Sequence, residues 1–322
     1  MGPLQGYRPY PAGTGLITRR PASRSADMSG DDQVLAQRLR MHVERLAGEI
    51  GERNVFGPEA LQRAAAYIEN EWSTLGYHPE RQEYDVSGIC CANIIATRPG
   101  SSRRGEILLI GAHYDSVIGS PGANDNASGV AALLEVSRMF RALDPALTVR
   151  FVAFVNEEPP FFRTGKQGSM VYAQAARGRG DDIRLMASFE TIGCYSGEPG
   201  SQSYPPMFGF FYPDRGNFIG IVSDFRSRVA VQRLAQAFRA QSDFPLQTVS
   251  TFRFIPGVAW SDHHSFWRQG YSAVMVTDTA FYRYQYYHSA ADTPDKLAYP
   301  ELAQVTLGLF KAFARLSQEG VG

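Results

Sequence analysis

Between residues 106 and 190 the chain alternates short apolar runs with segments of helical period, and this alternation restricts its possible folds more than any other feature. EILLIGAH, TVRFVAFVN and IRLMASF are β-branched or continuously apolar runs of strand length, and GVAALLEVSRMF and GSMVYAQAARG lie between them. In the first helical segment Leu133, Val136 and Phe140 share a face, with Ala132 and Met139 beside them. Strands joined through helices run parallel, and continuous apolar runs mean that both faces of the sheet are covered. The expected fold is a single α/β domain, a three-layer α/β/α sandwich with a mixed, mostly parallel sheet.

The flanks extend this picture. Two amphipathic stretches from about residue 33 read as helices, the second carrying Leu61, Ala65, Ile68, Trp72 and Leu75 before Gly76 stops it. QEYDVS and CANIIATR suggest an antiparallel pair at a sheet edge. Residues 194–260 break the rhythm with SGEPGSQSYPP, FYPDRGNF and the helix-like SRVAVQRLAQAFRA, and are read as an inserted cap. YSAVMVTD returns to the core, and a final helix aligns Leu302, Val305, Leu309, Phe313 and Leu316. Residues 1–30, rich in Pro, Gly, Ser and Arg, are expected to be a disordered tail, with Arg19, Arg20 and Arg24 as solvated charge, leaving 31–322 as the folded unit. The 32 basic and 32 acidic residues balance, which argues against nucleic acid as the main partner. No run near the start is apolar enough for a signal or membrane segment, so a cytoplasmic protein without a membrane partner is expected. Cys90 and Cys91 read as small buried strand residues, and Cys194 as too isolated to be a nucleophile.

Residues that can carry chemistry recur where a strand has just ended. His113 and Asp115 lie just past EILLIGA, Glu157 and Glu158 just past TVRFVAFVN, Glu190 at the end of IRLMASF, and His288 in the loop after YSAVMVTD. Ligands of open parallel sheets bind outside the carboxyl ends of the strands, so all of these can converge on one rim. Asp125 joins them from GANDNASG, a loop opening the next helix, where Gly122 and Gly129 are read as allowing sharp turns. Singly, each has a plain reading: His113 a core histidine, Asp125 a helix cap, Glu157 and Glu158 solvated charge, Glu190 a surface acid, His288 a surface histidine among tyrosines. Jointly they favour a site.

The donors are imidazole nitrogen and carboxylate oxygen with no sulfur, a set that suits zinc, and a catalytic zinc keeps a position open for water. Two zincs roughly 3.5–4 Å apart need a bridging carboxylate, and together they activate a water and polarise a carbonyl. Asp125 is the natural bridge. In His113-x-Asp115 the acid can hold the imidazole in one tautomer. Of the adjacent glutamates, Glu158 can coordinate metal while Glu157 stays free as general base.

The segments GAHYDS, GANDNASG, FVAFVNEE, ASFETIG and YYHSAADTPDKL together resemble those of the co-catalytic zinc exopeptidases, a family of bacterial leucyl aminopeptidases with glutamate carboxypeptidase and the glutaminyl cyclases as distant members. The resemblance spans about residues 33–318 and implies a zinc aminopeptidase-like, phosphorylase/hydrolase-like sandwich. It further implies a peptide substrate losing its N-terminal residue and two zinc ions per chain. One zinc would be held by His113, Asp125 and Glu190, the other by Asp125, Glu158 and His288, with Glu157 as base. SDHHSFWRQGY resembles the family's Ser-Asp-His segment, which puts Asp262 and His263 near the site, while His264 is read as structural or solvent-facing.

Two departures stand out. The family's aminopeptidases usually carry Asp where this chain has Glu190; the carboxylate can still bind metal, but it lies near where a substrate's amine would sit, so substrate preference is not inherited. The tyrosine that stabilises the oxyanion in those enzymes falls at Val258 here, and Tyr287, beside His288, is the substitute donor. The rival readings are a glutaminyl cyclase-like acyltransferase with one zinc, a non-catalytic relative, and a carboxypeptidase of the same fold. The last needs a cationic anchor, for which Arg163, Arg215, Arg253 and Arg283 are candidates. Every ligand and base position retains a competent residue, which counts against a non-catalytic relative.

Overall fold

In the computed structural model, which describes residues 30–321, the first helix is Gly30–Val43 (α1), which widens into a π-type turn running to Ile50. The tail expected over residues 1–30 otherwise lies outside the described residues. Pro58–Thr74 (α2) opens on a proline, whose fixed φ suits the first turn. It buries Leu61, Ala65, Ile68 and Trp72 along one stripe before Gly76, at φ +78°, ends it. Glu80–Val86 (β1) and Ile89–Arg98 (β2) form the expected antiparallel edge pair. Successive side chains of a strand face opposite ways, so Cys91 is buried whereas Cys90, expected inside, points to the uncovered side and is exposed.

The predicted alternation follows as Arg103–His113 (β3), Gly129–Phe140 (α3), Leu147–Phe154 (β4), Gly168–Arg179 (α4) and Asp182–Glu190 (β5). Beyond it come Ile219–Asp224 (β6), Arg228–Arg239 (α5), Leu246–Thr251 (β7), the short His263–Arg268 (α6), Ala273–Thr277 (β8) and the long Tyr299–Glu319 (α7). The eight strands form one sheet in the order β1-β2-β4-β3-β5-β8-β6-β7. Pairing is parallel for β4 with β3, β3 with β5, β5 with β8 and β6 with β7, and antiparallel elsewhere.

Alternation along the strands divides the core in two. Leu108, Ile110, Phe151 and Ile221 pack with the apolar stripes of α1, α2, α3, α5 and α7. On the other face Leu109, Val152, Phe154 and Met186 pack with Tyr172 of α4 and with Phe266 and Trp267 of α6. This is the expected three-layer α/β/α sandwich. Residues 194–260, expected to be an insertion over it, depart from that reading. Within them β6, α5 and β7 extend the sheet itself, and only the stretches around them run as loops. Among the described residues no helix is long and apolar enough to cross a membrane.

Candidate metal centre

The parallel strands bring the chemistry together at one rim. His113 and Glu190 are the last residues of β3 and β5, which are hydrogen-bonded neighbours. Glu157 and Glu158 follow the end of β4, and His288 lies in the loop between β8 and α7. Asp125 sits between the two imidazoles: its Oδ1 is 3.3 Å from His113 Nε2 and its Oδ2 is 3.1 Å from His288 Nε2. Glu190 Oε2 lies 3.3 Å from His113 Nε2, and Glu158 Oε2 lies 3.3 Å from His288 Nε2. Two donor triads result, His113/Asp125/Glu190 and Asp125/Glu158/His288, each with ligand atoms within 4.8 Å of one another and with Asp125 common to both. Glu157 completes a third grouping with His113 and Glu158.

Hydrogen bonding and charge both show that this cluster suits cations. The His113 Nδ1–H donates to the main-chain carbonyl of Asp115 at 3.2 Å, which turns the Nε2 lone pair toward the oxygens of Asp125 and Glu190. Lone pairs facing across 3.3 Å repel unless a proton or a metal ion lies between them. His113 Nε2, Asp125 Oδ1, Glu157 Oε1 and Glu158 Oε1 are buried with no hydrogen-bond partner, a costly state for polar atoms. Burial would lower both imidazoles, yet the surrounding carboxylates raise His113 well above its ordinary value and His288 to about 11. Burial raises Glu158 to about 7, helped by the Asp125 charge, and raises Glu157 and Glu190 as well. It opposes the ionisation of Asp125 too, but the two imidazoles hold that residue below the usual carboxylate range. A field that charges histidines and protonates glutamates is one that attracts a divalent cation.

Asp115 has a further task besides the one expected at His113. Its carboxylate is 3.6 Å from His113 Nδ1 and helps raise that imidazole's pKa, and its two oxygens also accept the main-chain N–H groups of Glu157 and Glu158 at 3.1 Å each. It therefore fixes the strand end that presents both glutamates, and its own carbonyl orients the imidazole. Gly129 differs from its reading: its φ is an ordinary −64°, and it is needed because a Cβ there would lie 2.8 Å from the carbonyl oxygen of Phe189. Gly122, at φ +63°, does take the left-handed turn.

Several supports have no local sequence signal. Arg53, wholly buried, donates to the carbonyls of Tyr114, Pro121 and Gly122, and so braces both ends of the loop from β3 toward Asp125. Asp292 accepts the N–H groups of Asn124 and Asp125 at 2.8 and 3.1 Å and is itself held by the Tyr284 hydroxyl. Ser261 donates to Glu190 Oε2 at 2.8 Å. Its position in the Ser-Asp-His segment was the one available hint.

The remaining predicted residues lie close by. Burial raises Asp262 to about 7, and Gln167 Nε2 donates to it at 3.4 Å. His263 Nε2 faces the carbonyl of Val258 at 2.8 Å, and burial lowers its pKa to about 3. His264 is partly buried with its ring edge-on to Trp267. Tyr287 stacks on His288 at 3.9 Å between ring centres, and burial together with the nearby carboxylates keeps its hydroxyl protonated. Of the four arginines, Arg253 is paired with Asp224, Arg215 donates to the carbonyl of Gly197, and Arg283 is bound to Gln202 and to the carbonyls of Cys194 and Phe218. Arg163 is the one within electrostatic reach of Glu157, and it donates to the carbonyl of Ala259.

Comparison with known proteins is consistent with this chemistry. The model of peptidase family M28 matches residues 93–312. The Escherichia coli protein YfbL, described as uncharacterized, is 38% identical over 282 residues, covering 85% of this chain and 86% of its own. A probable leucine aminopeptidase of Trichophyton verrucosum is 29% identical over 233 residues; the match covers 67% of this chain but 55% of that protein's length. Among solved structures, the zinc aminopeptidase BSAP of Bacillus subtilis aligns with a TM-score of 0.71 at 14% identity, over 88% of this chain and 95% of that one. A glutaminyl cyclase of Fimbriiglobus ruber aligns at 0.68 and 19% identity, over 92% and 99%.

Proposed function

The chain belongs to peptidase family M28, and from that premise we propose that it is a two-zinc aminopeptidase, removing N-terminal residues from peptides. The observation that carries the reading is the pair of donor triads sharing Asp125. One zinc is assigned to His113, Asp125 and Glu190, and the other to Asp125, Glu158 and His288. Bound there, zinc acidifies a water and polarises the scissile carbonyl. The protein's own groups do the rest. Glu157, buried beside both triads without being needed in either, takes the proton of the attacking water and passes it to the leaving amine. Asp115 keeps that carboxylate in place through the amide it accepts. The Tyr287 hydroxyl, protonated and held by its stack on His288, donates to the developing oxyanion. Glu190 lies where the free amine of the substrate would be received. Three unpaired cysteines favour a reducing, cytoplasmic setting.

The test takes zinc-loaded protein with its metal counted by plasma mass spectrometry, and peptides of one sequence with the amine free, the amine acetylated, or the carboxylate amidated. Two zincs per chain and cleavage wherever the amine is free are expected. Cleavage that requires a free carboxylate would overturn the direction of attack and point to Arg163 as anchor. One zinc per chain with cyclisation of N-terminal glutamine would overturn the hydrolase reading in favour of a cyclase.

A further inference from the structure

The segment that follows Glu157 and Glu158 leaves the metal centre as two successive turns, in which Phe161 N–H donates to the carbonyl of Glu158 at 3.0 Å and Thr164 N–H to that of Phe161 at 2.9 Å. Arg163 sits in the second turn at φ +59°, a left-handed conformation that residues other than glycine seldom adopt. Gln167 enforces it. This buried side chain accepts the Arg163 N–H on Oε1 at 2.8 Å, and its Nε2 donates to Asp262 at 3.4 Å. Backbone outliers of this kind persist where the surroundings over-determine them, and they gather at ligand sites. The turn carries the guanidinium to a second segment beside the centre: Nη2 donates to the carbonyl of Ala259 at 3.0 Å, two residues before the Ser261 that holds Glu190. Its Cζ lies over the Phe162 ring, 5.2 Å from the ring centre.

Held on these sides, Arg163 is still open to solvent and has no carboxylate partner among the described residues. The Glu157 charge reaches it: burial lowers the pKa of the guanidinium and Glu157 raises it. Lys166, the other cation of the segment, donates instead to the carbonyl of Asp85. In the aminopeptidase reading Glu157 hands a proton to the leaving nitrogen, which therefore lies about 3 Å from its carboxylate. In a dipeptide the α-carboxylate is two bonds beyond that nitrogen. Each further residue moves it away by about 3.5 Å. Resting on that reading, we infer that Arg163 receives the α-carboxylate of a substrate's second residue, which makes dipeptides with a free carboxylate the preferred substrates. A guanidinium pairs two N–H groups with the two oxygens of a carboxylate, a fit that an ammonium lacks. The bond to Ala259 and the Phe162 ring fix the head group before substrate arrives, so less freedom is lost on binding. A side-chain carboxylate on the second residue offers the same chemistry from a longer arm, and the experiment separates the two.

The experiment compares kcat/KM of the zinc-loaded protein on three pairs: Leu-Ala with Leu-Ala-amide, Leu-Ala-Ala with Leu-Ala-Ala-amide, and Leu-Glu-amide with Leu-Gln-amide. Leu-Ala should exceed its amide by about tenfold, the scale of a hydrogen bond between charged groups discounted for the exposure of Arg163. The tripeptide and its amide should be cleaved alike. In Arg163→Met the dipeptide preference should disappear, and in Arg163→Lys, which keeps the charge without the fork, it should be intermediate; the lysine variant serves if the methionine one does not fold. A residue that only clamps Ala259 would lower every rate together and leave the ratio as in the wild type, which would overturn the inference. Equal cleavage of Leu-Ala and its amide by the wild type would do the same. A preference for Leu-Glu-amide over Leu-Gln-amide without one for Leu-Ala would assign Arg163 to side chains and reject dipeptide selection. Cleavage of acetyl-Leu-Ala, or failure on every free-amine peptide, would overturn the aminopeptidase reading instead. Arg163 is then judged by calorimetry with Leu-Ala whose peptide bond is reduced to CH2–NH, which should bind the wild type about tenfold more tightly than its carboxamide and lose that advantage in Arg163→Met. Equal affinity of the wild type for acid and amide would reject the inference.

Discussion

Glu157 and Ser261 separate the two tasks that carboxylates perform in this centre. Glu157 is buried, with one oxygen lacking any partner, and its amide is fixed by Asp115, so its carboxylate is positioned without being spent on a structural bond. Glu157→Gln keeps the shape and removes the proton acceptor. The expected result is a fall in kcat of about 10²–10⁴-fold, with zinc content by mass spectrometry unchanged; an unchanged kcat would reject the assignment of the base. Ser261 acts on Glu190, the ligand proposed above, rather than on substrate, because its hydroxyl holds Glu190 Oε2 and contacts the Ser188 hydroxyl at 3.0 Å. Removing such a partner usually weakens metal binding about 10–100-fold. Ser261→Ala should therefore lose zinc to a competing chelator at correspondingly lower chelator concentration, while kcat at saturating zinc changes far less. Equal zinc affinity in the two proteins would show that Glu190 is oriented without the serine.

At the scale of elements, the loop that presents Asp125 is held from outside itself. Arg53 is buried and supplies donors to three main-chain carbonyls of the 114–122 segment, while Asp292 takes the main-chain amides of Asn124 and Asp125 from the other side. Burial lowers the Arg53 guanidinium to about 10, which leaves it charged at neutral pH. Arg53→Met should destabilise the protein by about 3 kcal/mol or more in urea unfolding, since it leaves three buried carbonyls unpaired and each costs about 1–3 kcal/mol. The same variant should bind zinc more weakly. These braces explain what was legible in the sequence. His113, Glu157, Glu158 and Glu190 are readable because β3, β4 and β5 are continuous apolar runs whose ends are obvious, and the topology of a parallel sheet puts strand ends on one rim. Arg53 and Asp292 were unreadable because their partners lie 61–69 and 167–168 residues away, and a buried arginine has the same local context as an exposed one. The β6–α5–β7 unit was missed for a different reason. β7 reads LQTVST, half-buried along most of its length, and the Pro/Gly-rich loop before β6 outweighed the short apolar run of β6 itself. The amphipathic SRVAVQRLAQAF between two β-branched runs was the usable signal of a crossover.

Across the whole molecule, charge is balanced overall but not locally, with acidic groups gathered at one rim of the sheet and two neutral histidines nearby, His263 buried and His264 partly buried. The rim predicts stabilisation by metal. Zinc bound to the folded chain alone adds about 2.7 kcal/mol when free zinc is 100 times its dissociation constant, so chelation should lower the melting temperature and added zinc should restore it. The histidines predict a separate dependence on acid that persists after the metal is gone. His263 is buried against Trp267 at 4.5 Å between ring centres, with His264 next to it, and burial first, then the His264 charge, depresses its pKa from 6.5 to about 3 although the Val258 carbonyl opposes the change. His264 is lowered to about 4 by burial and by Arg163. A depressed histidine stays neutral in the folded protein while the unfolded chain takes up its proton near pH 6.5. Between about pH 3 and 6.5 the unfolded state therefore binds more protons, and stability falls as the pH is lowered, by about 1.4 kcal/mol per unit for a fully buried group. Chelator-treated wild type should thus lose stability more steeply between pH 6.5 and 5 than chelator-treated His263→Gln, which keeps an N–H for the Val258 carbonyl but cannot titrate. Parallel unfolding free energies for the two proteins over that interval would mean that His263 is protonated in the native fold, and that the layer beneath α6 is more open to water than its packing against Trp267 implies.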